Sequence, residues 1–233
     1  MENDNLQTAF KAGAYATLIG AICMLAGAAL WGSTGADLDK ALDTGELANY
    51  LTIANENMTP LIANISLWIF GVILIGIGAT MMTIVSKQRP VIAKIAQYNY
   101  WIAVPIAVVS YVAWLAVIVR ISAHSTETSA AIAEAVGWFA SRADWIATIL
   151  IVGTGPALIA SAGKNDWVPN WLRICSFITL FAGLLTLLAM YAGRLTTYGF
   201  LIIPVGIAWL IAASIVMFKQ AKLHSNNINV VVP

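Results

Sequence analysis

Charge is what this chain lacks most. Of its 233 residues only 12 are Lys or Arg and 11 are Asp or Glu, whereas about a quarter of the residues of a soluble domain are charged. That deficit excludes a soluble enzyme, and it excludes a nucleic-acid binder, which needs a basic surface to neutralise phosphates. Cysteine is nearly as scarce. Cys23 and Cys175 are too few for a disulfide-stapled secreted domain, and both sit in apolar runs outside any redox or haem-attachment pattern. The histidines are His124 and His224. No long apolar run holds a histidine or a lysine, so a bis-histidine haem and a retinal-type Schiff base are excluded. A Gly-rich phosphate loop, an HExxH helix and a serine-nucleophile elbow are missing as well.

What is present is apolar length. Cutting the chain at every charged residue leaves six long uncharged runs, 12–36, 57–86, 95–119, 145–163, 174–193 and 195–218, which together hold 143 residues. A helix of about 20 residues crosses the roughly 30 Å of a bilayer's hydrocarbon. A membrane barrel would instead show alternation in segments of about ten residues. Stretches such as Trp68-Ile69-Phe70-Gly71-Val72-Ile73-Leu74-Ile75 do not alternate, so the spans are helices, which satisfy their own backbone. The expected fold is all-α: a polytopic membrane protein with six transmembrane helices near 11–32, 60–86, 91–122, 145–163, 170–193 and 196–218. Residues 1–222 form one transmembrane domain and 223–233 a polar tail.

Charge asymmetry sets the orientation. Lys11, Lys87, Arg89, Lys94, Lys164, Arg173, Lys219 and Lys222 flank one side, while only Lys40, Arg120, Arg142 and Arg194 flank the other. The positive-inside bias therefore places both termini in the cytoplasm. The first span resembles a signal peptide in its Lys11 flank and its Ala26-Gly27-Ala28-Ala29 end, but it is longer than a usual signal core and reads as a retained helix. On the outer side, 37–50 and 122–143 have amphipathic periodicity, the second through Ile132, Val136 and Phe139, and read as short or interfacial helices. Ala12, Ala16 and Gly20 give the first span a smooth packing face. Thr59-Pro60 is a helix start, Pro105 a kink in the third span, and Gly153-Thr154-Gly155-Pro156 a weak point in the fourth.

Most of the nine tryptophans suit interfacial belts: Trp31, Trp138 and Trp145 outside, and Trp101, Trp167 and Trp171 inside. Trp68, Trp114 and Trp209 lie deeper, where packing is the plain reading. Intramembrane charges usually point to function, and the uncharged runs supply none, so a proton relay or ion path lacks its normal equipment. Two outer clusters are candidates. Arg120, His124 and Glu127 share one face if the third helix continues past Ile121. His124 and Glu127 would then offer two metal ligands, with a further outer carboxylate completing the set; the plain alternative is a solvated helix end with Arg120 paired to Glu127 or Asp144. The second candidate is a ligand cavity bounded by Asn64, Trp68, Trp114 and Arg120, against ordinary interhelical hydrogen bonding.

Lys11-Ala12-Gly13-Ala14-Tyr15, the Asn-containing Leu61-Ile62-Ala63-Asn64-Ile65 and the basic turn Lys87-Gln88-Arg89-Pro90 together resemble a family of uncharacterised bacterial six-span membrane proteins. That resemblance implies a fold and a location, a bacterial inner membrane, and carries no activity. The leading expectation is a non-catalytic accessory or structural subunit that packs against other membrane chains or against copies of itself. The alternatives are a transporter or receptor for a small apolar or weakly polar ligand, and a metal-dependent membrane enzyme. No cofactor and no nucleic-acid partner are expected; bound lipid is.

Overall fold

The structure is a computed structural model and describes residues 2–124, 126–192 and 199–229. The described residues are helical almost throughout, with no strand beyond an isolated bridge between Lys164 and Val168. In chain order the helices are α1 (Glu2–Thr34), α2 (Leu38–Thr44), α3 (Leu47–Glu56), α4 (Met58–Ile84), α5 (Pro90–Ala116), α6 (Glu127–Thr148), α7 (Gly155–Ala162), α8 (Asn170–Ala189) and α9 (Ile202–Asn229). A π-helical turn, Val117–Ile121, extends α5, and a second, Ile149–Thr154, joins α6 to α7. Six helical rods are long and apolar enough to cross a membrane: α1, α4, α5 with its π turn, the α6–α7 rod, α8 and α9. The protein is an all-α integral membrane protein. Phe70, Ile102, Val112, Phe181 and Leu188 are exposed on these rods, as suits a surface that lipid solvates.

One sequence expectation changes here. Residues 127–143 of the amphipathic segment do not form a separate helix but run on into the fourth rod. Glu127–Ala162 is one rod of 36 residues, about 54 Å at 1.5 Å per residue, well beyond the roughly 30 Å of hydrocarbon. No Gly or Pro falls between Trp138 and Val152, so nothing stops the helix. Of the small residues expected on the smooth face of α1, Ala16 and Gly20 are buried, with Gly13 and Thr17 beside them, and Ala12 is exposed. The expected turn through Gly193-Arg194-Leu195-Thr196 and the end of the tail lie outside the described residues.

The chain divides into two compact units: residues 1–21, 73–104 and 148–233 form unit 1, and residues 22–72 and 105–147 form unit 2. Unit 1 contains α8, α9 and stretches of the longer rods. A close helix approach sets Gly78 of α4 on α1, where a Cβ would meet the Thr17 side chain and lie 2.9 Å from the Thr17 backbone nitrogen. The π turn Ile149–Thr154 is held from neighbouring helices. Asn99 donates to the Leu150 carbonyl (2.7 Å), Tyr100 to the Ile151 carbonyl (2.9 Å) and Thr179 to the Gly153 carbonyl (3.1 Å). Pro156 explains the need. With no N–H, it leaves Ile151 without a donor in the π register and Val152 without one in the α register. The Tyr100 hydroxyl takes the first of these places.

Unit 2 holds α2 and α3 with stretches of α1, α4, α5 and α6. Asp37 starts α2 by accepting from the Lys40 backbone N–H (3.0 Å), and Gly45 ends it at φ 75°, a left-handed conformation that suits glycine. Gly137 of α6 makes room for Leu38: a Cβ there would lie 3.1 Å from the leucine Cδ1. Ser110 of α5 donates to the Ala140 carbonyl of α6 at 2.8 Å.

Candidate functional site

The polar side chains of unit 2 converge on one face of α6. Ser141, Asp144 and Trp145 stand at spacings of three and four, which align on a helix. Asp39 of α2 meets this face: one carboxylate oxygen accepts from the Ser141 hydroxyl and the other from the Trp145 indole N–H at 3.4 Å. Asp144 is half-buried, with its Oδ1 enclosed and without a hydrogen-bond partner. The Tyr111 hydroxyl of α5 lies beside the Asp144 carboxyl, and the Asp39 charge acts on Asp144 as well.

Loss of hydration dominates at Asp39 and pushes its carboxyl above the ordinary Asp range; the Ser141 and Trp145 hydrogen bonds oppose that rise, Asp37 adds to it and Arg142 opposes it. The Arg142 guanidinium lies over the Trp138 ring, 5.9 Å from its centroid. Burial also pushes the Tyr50 hydroxyl of α3 up, against the hydrogen bond from Trp114.

An aromatic cluster stands in the same unit. The Trp68 ring lies 5.6 Å from that of Tyr111 and 6.0 Å from that of Trp114, centroid to centroid, within the range of favourable edge and tilted contacts. Trp114 donates to the Tyr50 hydroxyl at 3.0 Å, which ties α3 to α5. Trp68 donates to the Met24 carbonyl (3.2 Å) and Asn64 to the Gly27 carbonyl (2.9 Å). Gly27 permits both bonds, because a Cβ there would lie 2.5 Å from the Trp68 ring. Asn64 is only 1% exposed, yet its Oδ1 has no partner.

The structure brings together three of the four expected ligand-binding residues: Asn64, Trp68 and Trp114. Their N–H groups are occupied by backbone carbonyls or by Tyr50. Arg120 stands exposed on the π turn after α5. The condition for the metal pair is not met, since the third helix ends at Ile121, so His124 falls in the following turn and Glu127 in the first turn of α6. Both are exposed. Among the described residues, no group of three or more His, Cys, Asp or Glu side chains is placed to hold a metal ion.

Sequence reasoning counted Asp39 as an outer-loop acid, Asp144 as an outer acid that could pair with Arg120 or complete a metal set, and Trp145 as a belt residue. The available signal was the spacing of Ser141, Asp144 and Trp145 on a helix with no stop. Trp145 and Trp167 are both buried, and Trp167 donates to the Ser86 hydroxyl at 3.0 Å. Comparison of the chain with protein families, with curated proteins and with solved structures finds no match.

Proposed function

We propose that the protein is a receptor or transporter for a small, weakly polar molecule that carries a hydrogen-bond donor. The observation behind this reading is the pair of enclosed acceptor atoms in unit 2, Oδ1 of Asp144 and Oδ1 of Asn64, neither of which has a partner. An unmet buried polar group costs about 1–3 kcal/mol, so a molecule supplying an N–H or O–H recovers free energy there. The rings of Trp68, Tyr111 and Trp114 offer its apolar part a surface. A purely structural subunit has no need of such acceptors.

The accessory-subunit reading has its own support. The first half of the α6–α7 rod exceeds what a bilayer requires and carries exposed Ile132, Trp138 and Phe139, a face that suits another membrane chain. One experiment weighs the two. Protein reconstituted in lipid nanodiscs is unfolded thermally against a panel of small alcohols, amides and amines. The binding reading expects a saturable rise in Tm, lost in Asp144→Asn; ligand at 100 times its Kd stabilises by about 2.7 kcal/mol. A flat response across the panel, with a stoichiometric second membrane chain in native mass spectra, would replace it with the subunit reading.

A further inference from the structure

We propose that Asp39 and Asp144 form a proton-binding pair that latches α2 onto α6. With one proton on the pair α2 is fastened through Ser141 and Trp145, and with both carboxyls ionised it is released. This adds regulation to the site proposed above, and it is measured without ligand, so either claim can fail alone.

The latch rests first on geometry. Both oxygens of Asp39 accept from α6, one from Ser141 and one from Trp145, so this carboxyl is provided for as an acceptor. Asp144 stands on the same face between those two donors, and its Oδ1 has none. Tyr111 hydrogen-bonds to the Asp144 carboxyl, but the enclosed Oδ1 lacks a donor, which is costly in the ionised form, and the Asp39 charge repels that form. A proton on the pair removes both penalties.

The neighbouring groups leave that role open. From α5 the pair faces the Tyr111 hydroxyl; from α2 and the residue before it come Asp39 and Asp37; from α6 comes Arg142; and from α3 comes Tyr50, whose hydroxyl is taken by Trp114. Arg142 is the one cation among them, and its guanidinium lies over Trp138. Beside these bonds, Leu38 of α2 rests against Gly137 of α6, and Lys40, Asp43 and Thr44 are exposed.

The pH dependence follows from the Asp39 environment. A carboxyl pushed above its ordinary range in the packed state keeps its proton at a pH where the released state would already have lost it. Packing α2 therefore takes up a proton. The latch is complete below the ordinary Asp value of about 4 and is lost as pH rises through the elevated one, with the proton passing to water.

Hydrogen–deuterium exchange on the full chain in nanodiscs tests the latch, read as protection factors that remove the pH dependence of intrinsic exchange. Wild-type peptides covering α2 should lose protection, at least severalfold, as pH is raised from about 4, the ordinary Asp value, to above neutral. Peptides from α8 should not change. Asp39→Asn, which removes the titrating carboxyl of α2, should lose this pH dependence; should that variant not fold, Asp144→Asn, which removes the repelling partner, should show a smaller loss than wild type. A wild-type change of less than about twofold, or a variant that keeps the wild-type loss, overturns the latch.

Discussion

Gly78 shows how narrowly α1 and α4 are fitted. A Cβ added there would meet the Thr17 side chain and come within 2.9 Å of backbone nitrogen. The side chain can rotate away, but the backbone cannot, so Gly78→Val must push two helices apart. Overpacking of this kind costs about 1–3 kcal/mol, and reversible unfolding in mixed detergent should show a loss in that range. At the same scale the sequence was legible only in kind. Small residues on α1 pointed to close packing, and Ala16 and Gly20 are buried while Ala12 is exposed, because a stripe of small residues does not say where along the helix its neighbour begins. Asn64 and Trp68 were recognised as polar groups at depth. That both reach carbonyls of α1, at Gly27 and Met24, depends on a neighbour no local pattern names.

The fourth span carries the argument at the scale of elements. Gly153-Thr154-Gly155-Pro156 was readable as a weak point because glycine and proline both disfavour a regular helix. The response to the weakness, a π turn whose Ile151 carbonyl is served by Tyr100 of another helix, was not readable. Tyr100→Phe removes that donor and should cost about 0.6 kcal/mol and at most about 1.7, as interhelical hydrogen bonds do in membranes. Pro156→Ala restores a backbone N–H that reaches Ile151 in the π register. In that background Tyr100→Phe should cost clearly less, and a double-mutant cycle should return a coupling of about 0.5 kcal/mol or more. Additive effects would mean that the tyrosine hydroxyl does not stand in for the missing amide. The run of uncharged residues and the helix also differ in extent: the run begins at 145, after Asp144, whereas helix hydrogen bonding continues back to Glu127. The charge criterion follows solvent, and the helix follows the backbone.

For the whole molecule, the orientation of the six rods is argued from Lys and Arg. Eight cations flank one set of ends and four the other, and the positive-inside bias expects Ser33 on the outer side and Lys222 in the cytoplasm. Ser33→Cys and Lys222→Cys, each with Cys23 and Cys175 replaced by Ala, test this in intact cells with a membrane-impermeant thiol reagent. Labelling of the Ser33→Cys variant alone fits the expectation, and labelling of the Lys222→Cys variant alone reverses the molecule.

The sequence by itself determined the solvent of this protein and the number of its crossings, because hydropathy is summed over neighbours along the chain and needs no fold to be read. Only the tertiary structure decided which polar groups meet. Asp39 and Ser141 are 102 residues apart, and their pairing exists because α2 is laid against one face of α6 by the rotation of a helix and the room left by a glycine. Rotation and room are properties of packed surfaces. They appear once the helices are together, and with them the acid pair that a count of charges had assigned to the loops.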